Sequence, residues 1–298
     1  MTQTNEKEKN VKTTAADGKA ICRICPRACQ LTEEQLGWCR GRVARGGEVV
    51  SANYGKVTSI ALDPMEKKPL RRFASGRTIL SVGSYGCNLA CSFCQNSDIS
   101  MGGEERTVYQ VTPEFLVKRA LEMKAARNVG LAFTYNEPLI GYEFVRDCAQ
   151  RLLETDLKNV VVTNGYICEE PLAELLPLIH AWNIDLKSIS EDFYRSIGGD
   201  LATVQRTIRQ VAEVSHVELT FLVIPGLNDT KEEMEQMVDW ICSVDPEMPL
   251  HISRFRPAFK MTDRAETPVE TLKELVEIAR RRLKYVYPGN LRSSEERF

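Results

Sequence analysis

"TILSVGSYGCNLACSFC", residues 78–94, joins a short apolar run to three cysteines at Cys87, Cys91 and Cys94. The run has the length of a buried strand, and the cysteines follow it as one loop spaced C-x3-C-x2-C. A closed structural zinc site takes four protein ligands. Three thiolates on one loop therefore leave a coordination position for something else, and an aromatic, Phe93, stands just before the last sulfur.

Downstream, short apolar runs alternate with helical stretches, the pattern of βα units on a parallel sheet. Strands are expected at 78–84, 130–136, 159–164, 182–187, 217–224 and 250–255. Thr112-Pro113 reads as a helix start, and Thr230/Glu233 and Thr267/Glu270 have capping-box spacing. Six such units predict an α/β fold, a partial (β/α)6 TIM-like barrel with a small N-terminal cysteine-rich module. About fifteen residues follow the last expected helix, from Lys284 on, too few to close the barrel. Asn136-Glu137-Pro138, Thr163-Asn164-Gly165, Asp185 with Lys187, Pro225-Gly226 and Arg254/Arg256 all fall at strand carboxyl ends. In parallel barrels that rim carries the site, and the cysteine loop opens onto it. His251 sits earlier on its strand and reads as a satisfied core histidine.

The rest of the chain sets limits. Its 298 residues are 43% hydrophobic and 27% charged, an ordinary globular composition, and a net charge of −2 gives no pull toward nucleic acid or anionic membrane. The start has no apolar signal region, and no run approaches the ~18 apolar residues of a membrane span. A cytoplasmic location is expected. Ten cysteines in a reducing compartment point to metal or catalytic sulfur rather than disulfides. Cys148 and Cys242 read as small buried hydrophobes, and Cys168 stays open. Three segments are expected: a disordered tail at 1–20, a cysteine-rich metal module with a hairpin around Gly55 at 21–62, and the barrel at 63–298.

The loop CNLACSFC resembles that of the radical S-adenosylmethionine (radical SAM) superfamily. From Cys22 onward the chain is similar to its pyruvate formate-lyase-activating-enzyme-like branch, and within that to the AmmeMemoRadiSam family. The stretches ICRICPRACQLTEEQLGWCRGR, DPMEKKPL, TYNEP, VTNGY, NIDLKS, IPGLND, HISRFRPAFKMTD and YVYPGN carry the likeness. The resemblance implies a [4Fe–4S] cluster on Cys87, Cys91 and Cys94, whose open iron is chelated by SAM. Reduction then breaks the S–C5′ bond to give a 5′-deoxyadenosyl radical. It implies SAM contacts from Phe93, Asn136, Glu137, Thr163, Asn164, Asp185, Lys187, Ile224 and Gly226. Glu137 matches the Glu of the activators' Gly-Gly-Glu-Pro motif, although Tyr135-Asn136 replaces the two glycines. Val162 stands where the activators carry a cation-binding Asp, and Arg256 stands where many relatives carry His, so cation dependence and a ribose contact do not carry over.

Cys22, Cys25, Cys29 and Cys39 follow C-x2-C-x3-C-x9-C on a segment too short for its own core. Four thiolates there fit zinc or an auxiliary [4Fe–4S] cluster, and the spacing does not separate the two. The reading is an enzyme that abstracts hydrogen from a protein, in the manner of a glycyl-radical activator, or from another large substrate. An electron donor such as flavodoxin or ferredoxin would serve it. The alternatives are radical chemistry on a small molecule and, from another class, a zinc-stabilised scaffold without catalysis.

Overall fold

The structure, a computed structural model, describes residues 18–292. The tail read at 1–20 lies outside the described residues up to position 17. The N-terminal module begins with β1 (Ala20–Ile21) antiparallel to β2 (Gln30–Leu31), followed by a hairpin of β3 (Arg42–Arg45) and β4 (Glu48–Ser51). The expected hairpin around Gly55 does not form. The chain turns earlier, at Gly46-Gly47, where both glycines take positive φ. Beyond Gly55, β5 (Lys56–Val57) turns away from β4.

β6 (Ser59–Pro64) crosses the segment boundary drawn at 62/63 and joins the main sheet, antiparallel to β7 (Thr78–Gly83). After β7 come the cysteine loop, the short α1 (Ser97–Ser100) and β8 (Tyr109–Gln110), which pairs with β5. The regular alternation then runs α2 (Pro113–Glu122), β9 (Asn128–Phe133), α3 (Tyr142–Leu152), β10 (Lys158–Thr163), α4 (Glu169–Leu175) and β11 (Ala181–Asp185). It continues with α5 (Glu191–Ser196), α6 (Leu201–Ala212), β12 (His216–Val223), α7 (Lys231–Val244), β13 (Leu250–Arg254) and α8 (Val269–Arg280). A last strand, β14 (Val286–Gly289), was not foreseen.

The sheet order is β14-β13-β12-β11-β10-β9-β7-β6, parallel except at the β6 edge. Six βα crossovers thus join seven parallel strands, a partial barrel with helices outside. Each crossover needs its helix to bury one stripe against the sheet. Leu116 and Ala120 of α2, Met237 and Ile241 of α7, and Leu272 and Val276 of α8 are buried in this way. The segment after Lys284, read as too short to close the barrel, supplies the edge strand β14, whose ladder with β13 starts at Leu250 N–H and the Tyr285 carbonyl, 3.0 Å apart.

Two helix starts form as expected. Thr112 Oγ1 accepts from Phe115 N–H at 3.3 Å, and Thr230 Oγ1 accepts from Glu233 N–H at 3.1 Å. The third does not. α8 begins after Pro268, and Thr267 is instead a fully buried tie, accepting from Phe255 N–H at 3.0 Å and donating to the Val223 carbonyl at 2.6 Å.

Candidate functional site

The carboxyl ends of β7, β9, β10, β11 and β12 surround a cavity of about 350 Å³. Cys87, Cys91 and Cys94 line it together with Phe93, Asn136, Glu137, Thr163, Asn164, Asp185 and Lys187. A larger groove of about 570 Å³, between Leu176 and His216 at the opposite strand ends, carries none of these groups.

The cysteine loop is fixed by backbone contacts. Gly86 has φ +88°, Ala90 N–H reaches the Ile197 carbonyl at 2.8 Å, and Leu89 N–H donates to Cys87 Sγ at 3.4 Å. Phe93 is buried against Phe193, with ring centroids 6.0 Å apart. Burial pushes the Cys87 thiol well above its ordinary range. It pushes Cys91 up to about 11, against the pull of Lys187. These sulfurs are neutral until a cationic partner arrives, as soft ligands for iron are.

Glu137 is 3% exposed and accepts three hydrogen bonds, leaving Oε2 room for one more donor. Its Oε1 accepts from Thr163 Oγ1 at 2.7 Å and Leu139 N–H at 3.0 Å, and its Oε2 accepts from Asn164 N–H at 2.7 Å. Desolvation still outweighs those bonds and lifts the carboxyl to about 7. A buried carboxylate so placed fits an ammonium ligand. Across the cavity, Lys187 Nζ meets Asp185 Oδ2 at 2.7 Å. Burial lowers the Lys187 pKa, but Asp185 and Cys91 together raise it, so the amine stays charged.

Three expected residues behave otherwise. Asn136 spends its amide on the loop itself, donating to the Tyr85 and Gly86 carbonyls at 3.2 and 3.1 Å and accepting from Ser84 N–H at 2.9 Å. Ile224 and Gly226 do not line the cavity. β12 ends at Val223, the Leu227 N–H returns to the Ile224 carbonyl at 3.1 Å, and Ile224 packs into the core while Gly226 sits on the turn. Thr220 and Leu222 face the cavity in their place. Arg256 does not line the cavity itself but donates to the carbonyl of Asn290, which does, at 2.9 Å. His251 is a satisfied core residue, its Nε2 at 2.6 Å from Glu218 Oε2.

One wall of the cavity escaped the sequence reading. Lys68 is 2% exposed, its ammonium 2.8 Å from Asp63 Oδ2 and 4.3 Å from the Tyr135 ring centroid. The Tyr135 hydroxyl donates to the same Asp63 oxygen, and Tyr135 has φ +76° although it is not glycine. Burial raises the Asp63 carboxyl, but the bonds from Lys68 and Tyr135 hold it down at about 2. The segment DPMEKKPL holds this lysine four residues beyond the end of the edge strand β6, just before Pro69-Leu70.

The second cysteine group lies beside this site. Cys22, Cys25 and Cys39 are buried, Cys29 is half-buried, and all four are free thiols. Cys168 N–H donates to the Ile24 carbonyl at 2.9 Å, so the loop after β10 also touches the module.

Residues 81–241 match the family model of the radical SAM superfamily. An uncharacterized protein of Methanocaldococcus jannaschii is 38% identical over 94% of this chain and 84% of its own length. Pyruvate formate-lyase-activating enzyme of Clostridium pasteurianum is 27% identical over 53% of this chain and 67% of its own. Pyruvate formate-lyase 1-activating enzyme of Escherichia coli K12 is 24% identical over 51% and 63%. Among solved structures, Streptococcus suis SuiB bound to precursor peptide SuiA superposes with TM-score 0.55 at 12% identity, covering 77% of this chain and 52% of that one, a likeness of fold. No helix among the described residues is long and apolar enough to cross a membrane.

Proposed function

The chain belongs to the radical SAM superfamily, whose cofactors are a [4Fe–4S] cluster and SAM, and on that premise we propose that it abstracts hydrogen from a protein or other large substrate. Cys87, Cys91 and Cys94 would hold the cluster. When bound, the pair supplies reductive cleavage of SAM to a 5′-deoxyadenosyl radical. The residues present fit that demand: three thiols on one loop and a buried carboxylate with no cationic partner among the described residues face one cavity.

Glu137 binds and orients the ammonium of SAM, itself oriented by Thr163 and Asn164. Lys187 offers a charged donor to the carboxylate, with Asp185 holding its position. Asn164 Nδ2 lies 3.6 Å from Cys87 Sγ and sets the electrostatics of that ligand. Val162, Leu222 and Met101 line the remaining wall with apolar surface and exclude water from the reacting centre.

The single observation that carries the substrate class is the size of the cavity. About 350 Å³ lies at the low end of the range for one ligand. With SAM inside, a substrate must present its reacting group from the rim, as an extended segment of a larger molecule does. The 24–27% identity to activating enzymes supports the same reading. The test is electron paramagnetic resonance of the anaerobic, reduced protein with SAM and each candidate partner protein. A glycyl radical on a partner is expected. Formation of 5′-deoxyadenosine stimulated only by a metabolite, with no protein radical, would replace this reading by the small-molecule one. A colourless protein carrying zinc and no iron would replace it by the scaffold.

A further inference from the structure

We propose that Tyr135 is a positioning residue for SAM: the strained turn it makes sets Glu137 against the cysteine loop, so that one molecule of SAM meets both. The inference rests on the reading above, in which Glu137 takes the ammonium and Cys87, Cys91 and Cys94 hold the cluster.

The chain folds back on itself just past the end of β9. Thr134 N–H still pairs across to β7, at the Val82 carbonyl 3.0 Å away. Asn136 N–H then returns to the Thr134 carbonyl at 3.1 Å, closing a three-residue γ-turn with Tyr135 at φ +76° in its centre. A γ-turn of that sign is rare and strained, and its φ is unfavourable for any residue with a Cβ, a bulky one above all. Such a conformation persists only where the surroundings over-determine it.

Three anchors do so. The Tyr135 hydroxyl donates to Asp63, which Lys68 holds at 2.8 Å, and the Lys68 ammonium lies 4.3 Å from the ring centroid. The ring covers Gly83 at the end of β7 so closely that a Cβ there would stand 2.8 Å from Tyr135 Cδ2. On the backbone side, the Tyr135 carbonyl accepts from Asn96 Nδ2 at 2.8 Å. Hydroxyl, ring and carbonyl are thus fixed by three different segments.

The turn delivers the two residues after it. Asn136 arrives at the lead-in of the cysteine loop, where its amide bonds the Tyr85 and Gly86 carbonyls and Ser84 N–H. Glu137 N–H follows it to the Gly86 carbonyl at 3.4 Å, while the Glu137 side chain reaches across to Thr163 and Asn164. Asn96 stands two residues beyond Cys94. Both ends of the cysteine loop therefore grip this turn, one before Cys87 and one after Cys94. Relaxation of Tyr135 to an ordinary strand φ would open the bond from Asn136 to Thr134 and move Glu137 relative to the loop. Asp63 and Lys68 act on SAM through this turn.

The experiment compares Tyr135→Gly with Tyr135→Ala. Both lose the ring and the hydroxyl, and glycine removes one carbon more, so a packing role makes glycine equal or worse. A role through the turn makes it better, because glycine takes a φ near that of the turn without steric cost. Equilibrium binding of SAM to the anaerobically reconstituted proteins should weaken about 100-fold in Tyr135→Ala and about tenfold in Tyr135→Gly. Thermal unfolding of the same proteins without cluster should show the glycine variant melting no lower than the alanine one. Glycine binding SAM no more tightly than alanine, glycine melting lower, or both variants binding like the parent overturns the proposal and leaves the radical SAM reading intact. No SAM binding by the iron-loaded parent overturns that reading and the proposal with it. If neither variant folds, Tyr135→Phe decides, since it keeps the ring over Gly83 and removes only the bond to Asp63. A loss of about tenfold in SAM affinity is then expected, and parent affinity contradicts the proposal.

Discussion

Thr163 Oγ1 donates to Glu137 Oε1 at 2.7 Å, joining the ends of β9 and β10 across the mouth of the barrel. The bond fixes the carboxylate but does not neutralise it, and Glu137 remains at about 7 under the weight of its burial. As an acid raised in the folded state, it contributes stability that is full below its ordinary pKa and is lost as pH rises through about 7. SAM binding runs the other way, because the ammonium requires the carboxylate. Affinity of the reconstituted protein for SAM should rise as pH increases toward and past 7. Glu137→Gln should cost about 10–100-fold in affinity and flatten that profile. Equilibrium binding at pH 6 and 8 checks both, and parent-like affinity with an unchanged profile would contradict the role.

Lys68 and Asp63 form a buried pair under the Tyr135 ring. Lys68→Met leaves Asp63 with only the exposed Lys67 ammonium, at 3.6 Å, and the Tyr135 hydroxyl, and should lower unfolding stability by about 1–3 kcal/mol. Adding Asp63→Asn should recover part of that loss, since the two residues act as a unit. Denaturant unfolding of the two singles and the double measures the coupling. Strict additivity would mean that the pair is not a unit.

Gly86→Ala addresses the contact between the two cysteine loops. Its φ of +88° and the 2.3 Å approach to the Cys39 carbonyl leave no place for a methyl group. A loss of at least about 1–3 kcal/mol is expected from the backbone alone, together with reduced iron loading. Thermal unfolding and iron analysis together test it, and a neutral substitution would show that the loops are not held against each other.

At the far end of the barrel, Glu218 is fully buried between His216 and His251, at 2.9 and 2.6 Å, and accepts the Arg71 and Arg72 backbone N–H groups at 2.9 and 2.6 Å. Burial raises this carboxyl, but those partners more than compensate and hold it at about 2. An acid lowered in this way stabilises the fold above its ordinary pKa of 4.5 and loses that contribution as pH falls through about 2. Glu218→Gln should cost roughly 3 kcal/mol at neutral pH and flatten the acid limb of the stability curve. Unfolding followed between pH 2 and 7 checks the sign.

Six of the seven parallel strands were legible because most are apolar runs largely buried in the sheet, and the cysteine loop because its spacing is chemistry. Thr112 and Thr230 were legible because a cap acts locally. Thr267 has the same local pattern and failed, since its hydroxyl is taken by Phe255 and Val223 from elsewhere in the chain. β14 was missed because Val286–Gly289 carries a proline and a glycine and becomes a strand only beside β13. Lys68 was missed for a related reason. Its burial depends on Tyr135, sixty-seven positions away, adopting a left-handed backbone that no single-residue preference announces.

The central claim, that Cys91 belongs to the loop holding the SAM-cleaving cluster, is tested most directly by Cys91→Ala with Cys25→Ala as its contrast. Dithionite-reduced protein is incubated with SAM under anaerobic conditions, and 5′-deoxyadenosine is measured by chromatography, with circular dichroism reporting the fold. Cys91→Ala should stay folded and form none, because two sulfurs remain where three are needed. Cys25→Ala should lose stability in the N-terminal module yet still form 5′-deoxyadenosine slowly. Formation at the parent rate by Cys91→Ala would contradict the account at its base.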